Sequence, residues 1–350
     1  MITADRLPSL LGDVKTPDMW AHRRDEIKDI LQREEYGYFP PILPVSATVI
    51  SKKDKEFAGK AVVEELEFSL KNQEKEFVFP AKMIYPNNKT DNIPFFIFIN
   101  FGPEVPHKYY YPEVVVDQGV GVLTFCYHDV SIDKNEFGKG IESLFIDGDR
   151  NSDTCFGKIT LWAYAMHRAM DYLLTRPEVD SSQIFSAGHS RLGKTALVAA
   201  AFDERFAGAH SNCSGNSGAA ISRDNSGETI KAITTRFPHW FCKNYAGYSD
   251  NEDALPFDQH FLLGLIAPRK ISVAAAIEDT WADSYNQYLA CVAADDAYRL
   301  LGEKGFITDD KVQILGKEYS DGKVFYRERT GNHFFSYTDW LFAINSLICK

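Results

Sequence analysis

The run Gly188-His189-Ser190-Arg191-Leu192-Gly193-Lys194 offers a serine hydroxyl in a glycine-flanked turn. A short apolar stretch at 184–187 leads into it, and an Ala- and Leu-rich stretch at 192–202 leads out. A buried strand, a Gly-x-Ser turn and a helix are the context of a nucleophile elbow. Such a turn lifts the hydroxyl above the strand ends. The helix start then supplies backbone N–H donors and a partial positive charge for an oxyanion. The usual pattern is G-x-S-x-G; here Leu192 takes the second glycine position and Gly193 follows one later. The competing reading of Ser190 is an ordinary helix N-cap.

A serine nucleophile needs a base, and the base needs an orienting carboxylate. In the elbow arrangement the chain order is Ser, then Asp or Glu, then His. The acid is expected just past a core strand, at its carboxyl end, where α/β sites gather. Asp279 fits, after the apolar stretch at 271–276, with Asp283 as the fallback; either could instead cap a loop. Of nine histidines, His210, His239, His260 and His333 follow the serine, and only His333 also follows Asp279. His189 adjoins the serine and is too constrained by the turn to reach back. His260 is expected to pack or cap within 258–260. No pair has the H-E-x-x-H spacing, so no zinc-hydrolase centre is expected. No other metal and no cofactor is expected either.

Strands and helices must bring these groups together. Residues 45–85 alternate: Val62, Glu64, Leu66, Phe68 and Leu70 share one side, and Phe77, Phe79, Ala81 and Met83 repeat the pattern after a turn near 71–73. These read as antiparallel hairpin strands. The stretches at 94–100, 121–127, 184–187 and 271–276 are nearly all apolar, as strands buried on both faces are. Helical patterns cover 157–175, 192–202, 285–301 and 337–348. Residues 1–40 form a lead-in with a charged helix from 17 to 35, stopped at Tyr36-Gly37. Strands alternating with helices imply a mostly parallel sheet. The expected fold is α/β, an α/β-hydrolase: a three-layer sandwich with N-terminal antiparallel strands, as one domain over 1–350.

Charge and composition narrow the partners. The net charge is −11, which argues against nucleic acid. No apolar run approaches membrane-spanning length. Six cysteines, none in a C-x-x-C pair, are too sparse for a disulfide scaffold. The first twelve residues show no signal-peptide pattern, so the expected location is cytoplasmic, or extracellular if a leader has been removed. The expected partner is a small-molecule or oligosaccharide ester, with oligomeric state left open.

The elbow also carries a resemblance. Gly188-His189-Ser190-Arg191-Leu192-Gly193-Lys194 resembles the G-C/H-S-R-x-G-K motif of the glucuronoyl esterases, carbohydrate esterase family 15. Asp18-Met19-Trp20 with Arg23-Arg24-Asp25-Glu26-Ile27, Trp162, Gly227-Glu228-Thr229, Pro238-His239-Trp240-Phe241, Ala267-Pro268-Arg269 and Glu278-Asp279-x-Trp281-Ala282-Asp283 are similar to stretches of that family, in the same order. The resemblance implies hydrolysis of esters of 4-O-methyl-glucuronic acid, the acid branch of xylan. It implies Ser190 as nucleophile, His333 as base, Arg191 as an oxyanion stabiliser, and Lys194, Glu228 and Trp281 as residues that hold the sugar. From the residues alone, Lys194 could be a solvated helix lysine, Trp281 loop packing, and Glu228 a partner of Arg223. One departure stands out. Where many members place a catalytic Glu, the chain reads Asn212-Cys213-Ser214-Gly215. Some bacterial members carry an acid after the later strand, which Asp279 matches. The alternatives are an acetyl esterase acting on xylan, and a lapsed sugar-binding homologue, which the cysteine alone supports.

Overall fold

The computed structural model describes residues 2–348; Cys349, the sixth cysteine, lies outside the described residues. Apolar stretches of the β-branched and aromatic type extend into a sheet of ten strands, in the order β1-β2-β3-β5-β4-β6-β7-β8-β10-β9. The strands are β1 Val45–Lys55, β2 Ala61–Asn72, β3 Lys75–Pro86, β4 Ile93–Asn100, β5 Gly121–Cys126, β6 Val179–His189, β7 Gly208–Asn212, β8 Lys270–Ala276, β9 Glu318–Tyr319 and β10 Val324–Arg329. β1, β2 and β3 pair antiparallel, and β3 joins β5 antiparallel. From β5 through β4, β6, β7, β8 and β10 the pairing is parallel. The fold is that of an α/β hydrolase.

The parallel strands feed two cores. On β4, Ile93, Phe95, Ile97 and Ile99 enter the larger core, while Phe96 and Phe98 enter the smaller one on the opposite face. That alternation is the period-2 rule applied to a strand covered on both sides. Helices Lys158–Leu173, Arg191–Phe202, His260–Ile266 and Ser284–Leu300 pack into the larger core, and Pro112–Val116 with Tyr337–Leu347 covers the other face. The result is the expected three layers. The lead-in also contributes, since Trp20, Ile27 and Leu31 of helix Trp20–Leu31 are buried in the larger core.

The sequence reading missed two strands that carry the site. β7, Gly-Ala-His-Ser-Asn, has no apolar run, yet all five residues are buried. β10 places Arg327, Glu328 and Arg329 in succession, a pattern that reads as surface. Arg327 and Arg329 instead bond the buried carboxylate of Asp339, on the C-terminal helix. A charge enters a core when a partner satisfies it, and the partner here is 10–12 residues away on another element. A smaller correction concerns β5, which stops at Cys126, where a helical turn at Tyr127–Val130 takes over.

Candidate active site

β6 delivers Ser190 at the carboxyl edge of the sheet. Ser190 has φ 58° and ψ −131°, a backbone state that a residue with a side chain seldom holds without support. The support is local: its N–H donates to the Asn212 carbonyl at 2.8 Å, and its carbonyl accepts from the N–H groups of Gly193 and Lys194. Gly188 is required here, because a Cβ on it would lie 2.0 Å from the Leu192 carbonyl oxygen. The displaced second glycine thus leaves the turn geometry intact. Helix Arg191–Phe202 begins at the next residue, and its first N–H groups have no intrahelical acceptor. Ser190 occupies the N-cap position, but its side chain makes no cap hydrogen bond.

The loop after β8 brings Asp279, and the loop after β10 brings His333. The two meet at 2.6 Å, His333 Nδ1 to Asp279 Oδ2. Asp279 is buried and the His333 side chain is 39% exposed, so the carboxylate sits behind the ring and the ring reaches solvent. The His333 ring also lies 4.5 Å, centroid to centroid, from the ring of His189, next to the serine. Asn212 ties the same corner together through His189 and the Phe334 carbonyl. Asp283, the fallback acid, is occupied elsewhere. It caps helix Ser284–Leu300 through Asn286 N–H and accepts from Ser226. His260 binds the Pro8 carbonyl and His210 bonds Ser272, so neither competes as base.

Two ionic groups flank the serine. Arg191 pairs with Asp133, on the loop after β5, and its guanidinium lies 4.7 Å from the Trp240 ring centroid and 5.1 Å from that of Phe237. Asp133 also accepts from His239 at 2.8 Å and from the Trp240 indole at 2.6 Å. Burial by itself would raise the Asp133 carboxyl. The His239 hydrogen bond, the Arg191 charge and the indole outweigh it and hold the group at about 2. The guanidinium is thereby a fixed positive charge beside the elbow. Asp133 was not found by sequence reasoning; it lies beyond the helical turn Tyr127–Val130 that follows β5, and its role rests on contacts with residues far along the chain.

Lys194 lies about one helical turn beyond Ser190 and is buried, not solvated. Its ammonium donates to the Ser214 carbonyl at 2.6 Å, to the Asn216 carbonyl, and to Glu228 Oε2 at 2.6 Å. These use all three donors of a lysine. Burial pushes the Lys194 ammonium downward, and the Glu228 charge opposes that push. Glu228 therefore pairs with Lys194, and Arg223 bonds Asp258 instead. Trp281 is 43% exposed on the loop after β8, and its carbonyl accepts from Glu228 N–H at 2.9 Å. Cys213 is buried immediately after β7, with its N–H on the Ala274 carbonyl.

A serine on a strained elbow, an imidazole oriented by a buried carboxylate, and a fixed guanidinium with helix N–H groups can together carry out acyl transfer. Comparisons with known proteins agree. The family model "Glucuronyl esterase, fungi" matches residues 68–302. Carbohydrate esterase MZ0003, from an unknown prokaryotic organism, is 32% identical, over 91% of this chain and 82% of that protein. A 4-O-methyl-glucuronoyl methylesterase of Podospora anserina is 30% identical over 81% of this chain, which spans 56% of that protein's length. A solved structure of the glucuronoyl esterase from Solibacter usitatus superposes with TM-score 0.90 at 30% identity, covering 97% of this chain and 96% of the other. The chain belongs to the glucuronoyl esterase family, carbohydrate esterase family 15, and is a carboxylic ester hydrolase.

Proposed function

We propose that this esterase cleaves esters of (4-O-methyl-)glucuronic acid through Ser190, His333 and Asp279. The observation that carries the reading is the 2.6 Å His333–Asp279 bond beside the Ser190 elbow. His333 takes the serine proton as the hydroxyl attacks the ester carbonyl, and Asp279 holds the imidazole tautomer and stabilises the imidazolium. Arg191 and the first N–H groups of its helix meet the oxyanion that forms. His333 then returns the proton to the leaving alcohol, and water releases the acid from the serine.

Glu228 and Trp281 hold the sugar in this proposal, and Lys194 has a modified part. With its donors committed, Lys194 fixes Glu228 and the 214–216 backbone. Glu228 Oε1 is assigned to a ring hydroxyl. Glucuronate is favoured over acetate as the acid part because an acetyl group has no hydroxyl for Glu228 and no ring for Trp281.

The test compares benzyl glucuronate with aryl acetates on the wild type and on Ser190→Ala. The glucuronate ester should have the higher kcat/KM, and Ser190→Ala should lose on the order of 10⁶ in kcat. A preference for acetates would sink the glucuronate reading in favour of an acetyl esterase. Glucuronate binding without turnover of any ester would mark a lapsed enzyme.

A further inference from the structure

Cys213 is a thiol with no evident duty in ester cleavage. It is 1% exposed and free of any disulfide. Its position is set by the backbone: φ is 49°, and its N–H is pinned to the Ala274 carbonyl at 2.7 Å. The thiol is thus presented at the end of β7 towards the loop after β8, where it shares a small buried cluster with Ala276 and Ala282.

Three potential ligand atoms gather there. One atom each from Cys213, Asp279 and His333 lie within 4.8 Å of one another. Tetrahedral zinc with sulfur, nitrogen and oxygen ligands needs ligand separations of roughly 3.3–3.8 Å. The Asp279–His333 pair is already closer than that, at 2.6 Å, and all three atoms lie within 4.8 Å, so small side-chain shifts suffice to seat an ion. Sulfur, imidazole and carboxylate together form a borderline-soft donor set, suited to Zn²⁺, Co²⁺ or Cd²⁺ and unsuited to Mg²⁺ or Ca²⁺. Cys213 and Asp279 are buried, and His333 is exposed, which gives an ion its way in from solvent.

We infer that Cys213, Asp279 and His333 form an inhibitory site for a thiophilic divalent cation, and that its occupancy stops catalysis. This rests on the proposed role of His333 as base. The ion takes His333 at Nδ1, the nitrogen that faces Asp279. Binding converts the thiol to a thiolate and leaves the imidazole proton on Nε2. In sum one proton is released to solvent for each ion bound. An imidazole that carries its proton on Nε2 cannot accept the proton of Ser190, and Asp279 is withdrawn to the metal.

The experiment titrates Zn²⁺ against the hydrolysis of benzyl glucuronate by the whole chain, under reducing conditions, with Mg²⁺ and Ca²⁺ as controls. Each variant is compared with its own metal-free rate. Wild type should be inhibited by Zn²⁺ alone and restored by EDTA. In Cys213→Ala the concentration for half inhibition should rise at least about 100-fold. Co²⁺ added to wild type should give a thiolate-to-metal charge-transfer absorption that Cys213→Ala lacks. Equal Zn²⁺ sensitivity in the two proteins, or no such absorption, overturns the site. Inhibition that survives EDTA and yields only to excess thiol points to oxidation of Cys213 and overturns it as well. Co²⁺ absorption with an unchanged rate leaves a thiolate–metal contact but overturns the inhibitory site, and leaves the assignment of His333 as base untouched.

Discussion

The loops after β7 and β8 leave neighbouring strands at almost the same height. Asn212, the last residue of β7, pairs in register with Ala274 of β8. Cys213 follows at once, and Asp279 comes three residues past the end of β8. Both side chains are buried, and both lie within reach of His333. They differ in chemistry and in partner. Burial, reinforced by the Asp279 charge, pushes the Cys213 thiol well above its ordinary value, so it stays neutral. Asp279 bonds His333 directly. Two strand ends can therefore offer the same corner to an acid. In the proposed triad Asp279 serves, because a carboxylate carries negative charge beside His333 and a neutral thiol does not.

The largest effect is expected from Asp279→Asn. The amide should invert the His333 tautomer and lower kcat by about 10⁴ with little change in fold, measured as kcat and Tm together. Near-normal activity would mean that the β7 side supplies the orienting group after all. The comparison is sharpened by adding Cys213→Glu to Asp279→Asn. A carboxylate restored at the β7 position should recover part of the lost rate. No recovery would show that the two strand ends are not equivalent towards His333. The smallest effect concerns pH. The Cys213 shift is upward, so the thiol remains protonated wherever the enzyme works. The kcat/KM profiles of wild type and Cys213→Ala should then have the same shape between about pH 6 and pH 9. A limb that moves with the substitution would reveal a thiolate in the working enzyme.

The parts legible in the sequence share a physical cause. β4, β5 and β8 are buried on both faces and so consist almost wholly of apolar residues. The elbow was legible because only a small residue fits at Gly188. Asp279 and His333 followed from chain order, which the layout of strand ends imposes. β7 and β10 were not legible, because their buried polar groups look like surface until Asp339 and Ser272 are seen opposite them. Glu228 was open between a sugar and Arg223, and the structure gave it to Lys194.

The sequence by itself determined the residue types, their order along the chain and the alternation that builds the sheet, since these depend on local sterics and on water's rejection of apolar surface. The tertiary structure alone decided which charges meet. Asp133 and Arg191 are 58 residues apart, Asp279 and His333 are 54 apart, and Lys194 and Glu228 are 34 apart. A hydrogen bond forms only within about 3 Å, and no local rule fixes the separation of atoms so far apart in the chain. Only the packing of strand ends and loops does.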